Sequence, residues 1–124
     1  MRSRTSALSS TAAVALLALV VPTACTSKAD DADKVPVTAT DSSCEVATTD
    51  LPSGSTTFAV SNDGEQVTEV YVYAEGDRIV GEVENIGPGT SRDLTVDLSA
   101  GTYEVACKPG MTGDGIRVEV TVGT

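Results

Sequence analysis

From residue 35 onward the chain alternates apolar and polar residues with a period of two. Val35, Val37 and Ala39 start the pattern, and Phe58–Val60, Val70–Val72 and Leu94–Val96–Leu98 repeat it. Tyr103–Val105–Cys107 and Ile116–Val118–Val120–Val122 close it. Successive side chains of a strand point to opposite faces, so this spacing predicts strands with one buried and one wet face. Residues 78 to 84 repeat the pattern less regularly and predict a further strand. Thr38, Thr40, Thr57, Thr95 and Thr121 fall between the apolar positions. Their β-branched side chains suit a pleated surface, so they need no functional explanation.

Turn residues punctuate these runs. They are Pro52-Ser53-Gly54, Asn62-Asp63-Gly64, Glu75-Gly76-Asp77, Gly87-Pro88-Gly89, Ala100-Gly101 and Pro109-Gly110. Glycine reaches positive φ freely, and Asp and Asn side chains bond their own backbone. About seven short strands at this spacing predict an all-β, two-sheet sandwich. No amphipathic helix, internal repeat or long low-complexity tract interrupts the strands.

The first 24 residues read differently, as a signal peptide. Arg2 and Arg4 give a positive start, and Ala12 to Val21 is an apolar run too short to span a bilayer stably. Ala24 directly before Cys25 resembles the lipobox at which bacterial lipoproteins are lipidated and cut, although Pro22 stands where a Leu-like residue is usual. Ordinary cleavage nearby is the alternative. Lipidation would also account for Cys25, otherwise an odd thiol in an oxidising compartment. A lipid there anchors the protein to the membrane without spanning it. Residues 25–34 are polar and charged and predict a flexible tether. Residues 35–124, about 90 residues, remain for one domain with a small core.

Without the signal, 6 basic residues face 18 acidic ones, a net charge of −12. Such a field repels nucleic acid and attracts cations, besides keeping an exported protein soluble. The chain has no histidine. Ser-His-Asp and Cys-His catalysis and histidine-ligated zinc or copper are therefore excluded. There is no CxxC pair and no phosphate-binding glycine loop. The four aromatic residues lie in no basic patch, which leaves no basis for nucleic-acid binding. Organic acid–base catalysis has no constellation to use, so the chain is not expected to be an enzyme, and any catalysis would rest on a bound metal.

The segment Gly101-Thr102-Tyr103-Glu104-Val105-Ala106-Cys107-Lys108-Pro109-Gly110 resembles the last strand and metal loop of cupredoxins. In that family the Cys at the strand end is a copper ligand, followed by a His and a Met. Here Cys107 and Met111 are present and the His is not. The family's other His follows an Asn-containing turn; Ser61 to Val70 fits that frame, with Glu69 at the His position. One subfamily is similar along nearly all of the mature chain: the cupredoxin-like domain of EfeO, from bacterial elemental iron uptake systems. The matching pieces are Thr40 to Glu45, Thr68-Glu69-Val70, Gly81-Glu82-Val83-Glu84-Asn85-Ile86-Gly87-Pro88-Gly89, and Gly101 to Cys107.

The resemblance implies a Greek-key cupredoxin-like sandwich. It implies an extracytoplasmic, periplasmic or lipid-anchored module that binds iron or copper and passes metal or electrons to an uptake partner. Its ligand candidates are Cys44, Glu69 and Cys107. Thiolate with carboxylate can hold copper or iron, and carboxylate favours the harder ferric ion. Glu82 and Glu84 alternate on one strand and could form a second, oxygen-rich cation site, while Met111 could supply an axial sulfur. Full EfeO proteins continue into a helical, imelysin-like domain that is missing here, so the chain is expected to be either a stand-alone relative or a fragment. A separate partner, a permease or an imelysin-like protein, is therefore expected.

Each candidate has a plainer reading. Cys44 and Cys107 are the two cysteines of the folded part, and a disulfide is the default for such a pair in an exported domain. It would close a loop of about 60 residues and contribute roughly 4 kcal/mol. Glu69, Glu82 and Glu84 can be solvated carboxylates, the last two protecting an edge strand. Met111 can be a loop residue capping the core. A disulfide-stapled sandwich that binds a partner protein without metal is thus the competing function. The metal reading requires residues 44, 69 and 107 to converge at one end of the sandwich.

Overall fold

A computed structural model of the chain describes residues 33–124. The expected signal peptide, Cys25 and all but the end of the tether lie outside the described residues. Nine strands run in chain order: β1 (Val35–Ala39), β2 (Cys44–Val46), β3 (Asp50–Pro52), β4 (Gly54–Asn62), β5 (Thr68–Ala74), β6 (Arg78–Ile86), β7 (Ser91–Leu98), β8 (Gly101–Pro109) and β9 (Ile116–Gly123). A single 3-10 turn, Glu75–Asp77, joins β5 to β6. Among the described residues no helix is long and apolar enough to cross a membrane.

The seven expected strands are all present. β2 and β3 are additional, each three residues long. They are too short for a period of two to declare itself, which is why the sequence pattern does not disclose them. The strands form two sheets, one ordered β2-β1-β4-β7 and the other β3-β9-β8-β5-β6. The chain crosses between sheets after β2, β3, β4, β6 and β7. Most neighbours are antiparallel, but β1 lies parallel to β4, and β3 parallel to β9. This is a two-sheet cupredoxin-like sandwich.

The alternation read from the sequence is the alternation of burial. In β4, Thr56, Phe58, Val60 and Asn62 face inward while Ser55, Thr57, Ala59 and Ser61 face out. Phe58, Val60, Val70, Val72, Ile86, Val105 and Val120 are sealed from solvent between the sheets. With one Phe and no Trp, aliphatic side chains carry this core. The Tyr103 hydroxyl donates to the carbonyl of Ser99 at 2.9 Å, so its polar tip is satisfied while the ring is buried.

Two features position the functional face. Gly81 on β6 sits where a Cβ would lie 2.4 Å from Val96 Cγ1, so only glycine lets the edges β6 and β7 approach so closely. Near the other end of β6 the β5–β6 register slips. Thr68 pairs with Ile86 and Val70 with Val83, so Glu69 alone opposes Glu84 and Asn85. Asn85 takes positive φ (57°). This is a β-bulge, which re-aims side chains at a sheet edge.

Candidate functional site

The structure does not bring Cys44, Glu69 and Cys107 together. Cys44 and Cys107 are joined as a disulfide, S–S 2.04 Å. Cys107 is fully enclosed in the core. Its register partner is Val70, whereas Glu69 pairs with Lys108. Adjacent strand residues point to opposite faces, so Cys107 points between the sheets and Glu69 points outward. The expected convergence of residues 44, 69 and 107 therefore fails for a simple reason: Glu69 stands on the side of the sheet away from the sulfurs. The bonded sulfurs also lack the thiolate that binds metal.

Met111 lies in the turn after β8, where its N–H donates to the Lys108 carbonyl at 3.0 Å and its φ is 57°. It is half-buried and stands outside the core cluster that holds both cysteines. Among the described residues, no three His, Cys, Asp or Glu side chains gather closely enough to hold a metal ion.

The outer face of the five-stranded sheet gathers polar chemistry instead. Glu69 and Tyr71 on β5 lie opposite Lys108 and Ala106 on β8, and Tyr73 lies opposite Glu104. Tyr71 also pairs with Glu82 on β6. The rings of Tyr71 and Tyr73 stack, centroids 5.5 Å apart and 10° from parallel. Lys108 Nζ sits 3.9 Å from the Tyr71 centroid and 5.6 Å from that of Tyr73. The Arg117 guanidinium covers Tyr73 at 4.4 Å. Both cations exploit the negative ring faces. Arg117 Nη1 also donates to Asp77 at 2.6 Å and Glu104 at 2.8 Å, and these bonds stabilise its charged form.

Glu69 is the unusual member of this face. It is only 6% exposed, although it points away from the core. Its carboxylate makes no hydrogen bond and no ion pair among the described residues. Burial raises its pKa, Lys108 draws it back, and Glu84 and Glu82 push it up again. Glu82 and Glu84 are exposed, and the Tyr71 hydroxyl donates weakly to Glu84 Oε1 at 3.4 Å. Burial is also the leading reason that the Tyr71 phenol is held above its ordinary value. The neighbouring carboxylates of Glu69, Glu82 and Glu84 act in the same direction.

Sequence reasoning found Glu69, Glu82 and Glu84, and the period of two puts Tyr71 and Tyr73 on the face of Glu69, but Lys108 and Arg117 are not recognisable there as their companions. The signal is a non-local one, the pairing of β5 with β8. A second omission is Asn62, which is 1% exposed. Its Nδ2 donates to the carbonyls of Gln66 and Ile86, both at 2.8 Å, and its Oδ1 accepts from Gly64 N–H at 2.9 Å. It ties the loop after β4 to the end of β6. Asp41 secures the same loop, accepting from the N–H groups of Glu65 and Gln66 at 3.0 Å.

The copper that the resemblance implies does not fit these donors. No histidine exists, and both candidate sulfurs are bonded to each other. A His2Cys centre cannot be assembled from them.

Comparison with known proteins places the chain. A family model described as a cupredoxin-like domain matches residues 10–122. "Iron uptake system component EfeO" of Escherichia coli (strain K12) is 37% identical over 79 residues, 64% of this chain and 21% of that protein. The protein of the same description from Shigella flexneri gives the same figures. The chain thus spans about a fifth of the length of these curated relatives. Among solved structures, reduced auracyanin from Roseiflexus castenholzii superposes with a TM-score of 0.62 at 16% identity, over 74% of this chain and 98% of that one. An azurin (Az-iso2) from Methylomonas sp. strain J gives 0.55 at 14% identity, over 73% and 98%. At such identities these two structures speak to the fold alone. The match along nearly the whole chain, together with the sandwich that it predicts, shows that the chain belongs to the cupredoxin-like domain family.

Proposed function

We propose that this chain is an extracytoplasmic module of a bacterial iron uptake system, held to the outer face of the cell membrane by a lipid on Cys25. It takes iron as cargo at oxygen ligands on the outer face of its five-stranded sheet and works with a separate uptake protein, a permease or an imelysin-like partner. The similarity to EfeO supports the uptake system. One observation carries the cation reading: Glu82 and Glu84 stand close enough to Glu69 on the outer face for their charges to push its pKa up, an acidic field that draws cations, though no three of these side chains form a preformed metal cage among the described residues. Carboxylate oxygens suit a hard ferric ion better than Cu(I). The site is open and not a closed cage, so waters or oxygens of the partner complete the coordination shell.

The test is a thermal-unfolding titration of the oxidised full chain with ferric citrate and, separately, a Cu(II) salt. A ligand that binds only the folded state at 100 times its Kd adds about 2.7 kcal/mol of stability. The expected result is a midpoint raised by ferric citrate and a smaller rise in Glu82→Gln/Glu84→Gln. No shift with either ion would overturn the cargo reading. The second reading, favoured by the Cys44–Cys107 bond, would then stand: a disulfide-stapled sandwich that docks a partner protein without metal.

A further inference from the structure

The disulfide joins two strands that are secured very differently. β2 is a three-residue edge strand, tied to its sheet by three register pairs with β1. β8, which holds Cys107, has β9 on one side and β5 on the other. Cys107 is fully enclosed, whereas Cys44 is 7% exposed. Cys44 also lines an open cleft of about 430 Å³, together with Pro36, Thr38, Glu45, Val46 and Val118. The cleft lies at an incomplete edge. β3 pairs only with residues 121–123 of β9, so residues 116–119 lack a strand neighbour on that side among the described residues.

We propose that Cys44 Sγ is a thiol-exchange site, at which a protein dithiol with a basic face opens the Cys44–Cys107 bond and releases β2 from the core. The attacking thiolate enters through the cleft and bonds to Cys44 Sγ. The S–S bond breaks, and its electron pair leaves on Cys107 Sγ, which takes up a proton. The partner's second thiolate then attacks the partner's own sulfur in the mixed disulfide and expels Cys44, which is protonated in turn. The chain's disulfide is thereby reduced to two thiols, and the partner's dithiol is oxidised to a disulfide. Attack on Cys107 is closed off by its burial. Without the bond, β2 keeps only its pairs with β1, and Val46 can part from Ile116 and Val118, with which it packs on the core. The basic face follows from charge: Glu45 lines the cleft, and the chain carries a net charge of −10. Such a field repels anionic thiols and attracts cationic ones.

Cysteamine and mercaptoethanesulfonate serve as cationic and anionic probes of similar size. Each is added to the oxidised full chain carrying Cys25→Ser, which leaves these two sulfurs as the only ones of cysteine. Acid quenching, maleimide labelling and peptide mass mapping should find the probe on Cys44 and the maleimide on Cys107. The rate of opening should stay nearly flat as urea rises toward the unfolding transition, because releasing a three-residue strand exposes little surface. Compared per thiolate, cysteamine should react about tenfold faster than the sulfonate, and the gap should close in about 1 M salt. The probe on Cys107, no opening below the unfolding transition, or a rate climbing with urea as steeply as global unfolding would overturn the exchange site. Equal rates for the two probes would overturn the partner's basic face and leave the exchange site standing.

Discussion

Cys44 and Cys107 join an edge strand of one sheet to the central strand of the other, with Cα atoms 5.5 Å apart. The bond spans a sequence separation of 63 residues. Cross-linking so long a loop removes much freedom from the unfolded chain, about 4 kcal/mol on the chain-entropy model. A sandwich of this size has little stability to spare. Urea unfolding with and without a phosphine reductant should therefore differ by about that amount. A difference below about 1 kcal/mol would mean that residual structure already restrains the reduced unfolded chain.

The fold was legible because it is written in local alternation. Leu94, Val96 and Leu98 announce their strand without reference to any other segment, and so do Tyr103, Val105 and Cys107. The candidate site was legible only in its members. Which face Glu69 occupies relative to Cys107 depends on the register of β5 against β8, where Glu69 meets Lys108 and Val70 meets Cys107. A shift of one residue reverses that relation, and nothing local records it. The burial of Glu69 was likewise hidden. Glu69 lies opposite the β6 bulge at Glu84 and Asn85, and bulges leave no mark in the period-two pattern.

Gly81 shows how closely the two sheet edges meet. An added methyl would lie 2.4 Å from Val96 Cγ1 and 3.4 Å from Leu94 Cδ1. Val96 is buried and β-branched, so its side chain has little room to turn aside. Gly81→Ala should push β6 away from β7 and cost about 1–3 kcal/mol. Chemical denaturation measures it. A variant as stable as wild type would show that the edge of the sandwich yields freely.

Asn62 carries a heavier burden than its size suggests. Its side chain satisfies two carbonyls and one N–H. Asn62→Ala leaves the buried Ile86 carbonyl without this partner and the half-buried Gln66 carbonyl and Gly64 N–H to water, at a cost of about 1–3 kcal/mol. Asn62→Asp keeps the acceptor for Gly64 but turns oxygens toward the carbonyls of Gln66 and Ile86, so it should fare no better. Unfolding midpoints of the two variants test this. Faster amide exchange at Gly64, relative to the centre of β8, should accompany the loss.

Glu69 sets a pH dependence whose sign follows from its surroundings. Burial raises its pKa first, Lys108 opposes, and Glu84 and Glu82 reinforce the rise. The folded state therefore holds this proton more tightly than the unfolded state, whose carboxyl titrates near its ordinary value of 4.5. Stability from this group is greatest below that value and falls as pH climbs through the folded-state pKa. Above it the charged form carries the desolvation that raised its pKa. A glutamine at this position cannot ionise and escapes that penalty. Glu69→Gln should thus raise the unfolding midpoint of the metal-free protein at pH 7, and its advantage should shrink as pH is lowered past 4.5. Scanning calorimetry at the two ends of this window gives the comparison. A variant less stable than wild type at pH 7 would show that attraction to Lys108 outweighs burial, and the wild-type carboxylate would then stabilise the face that it occupies.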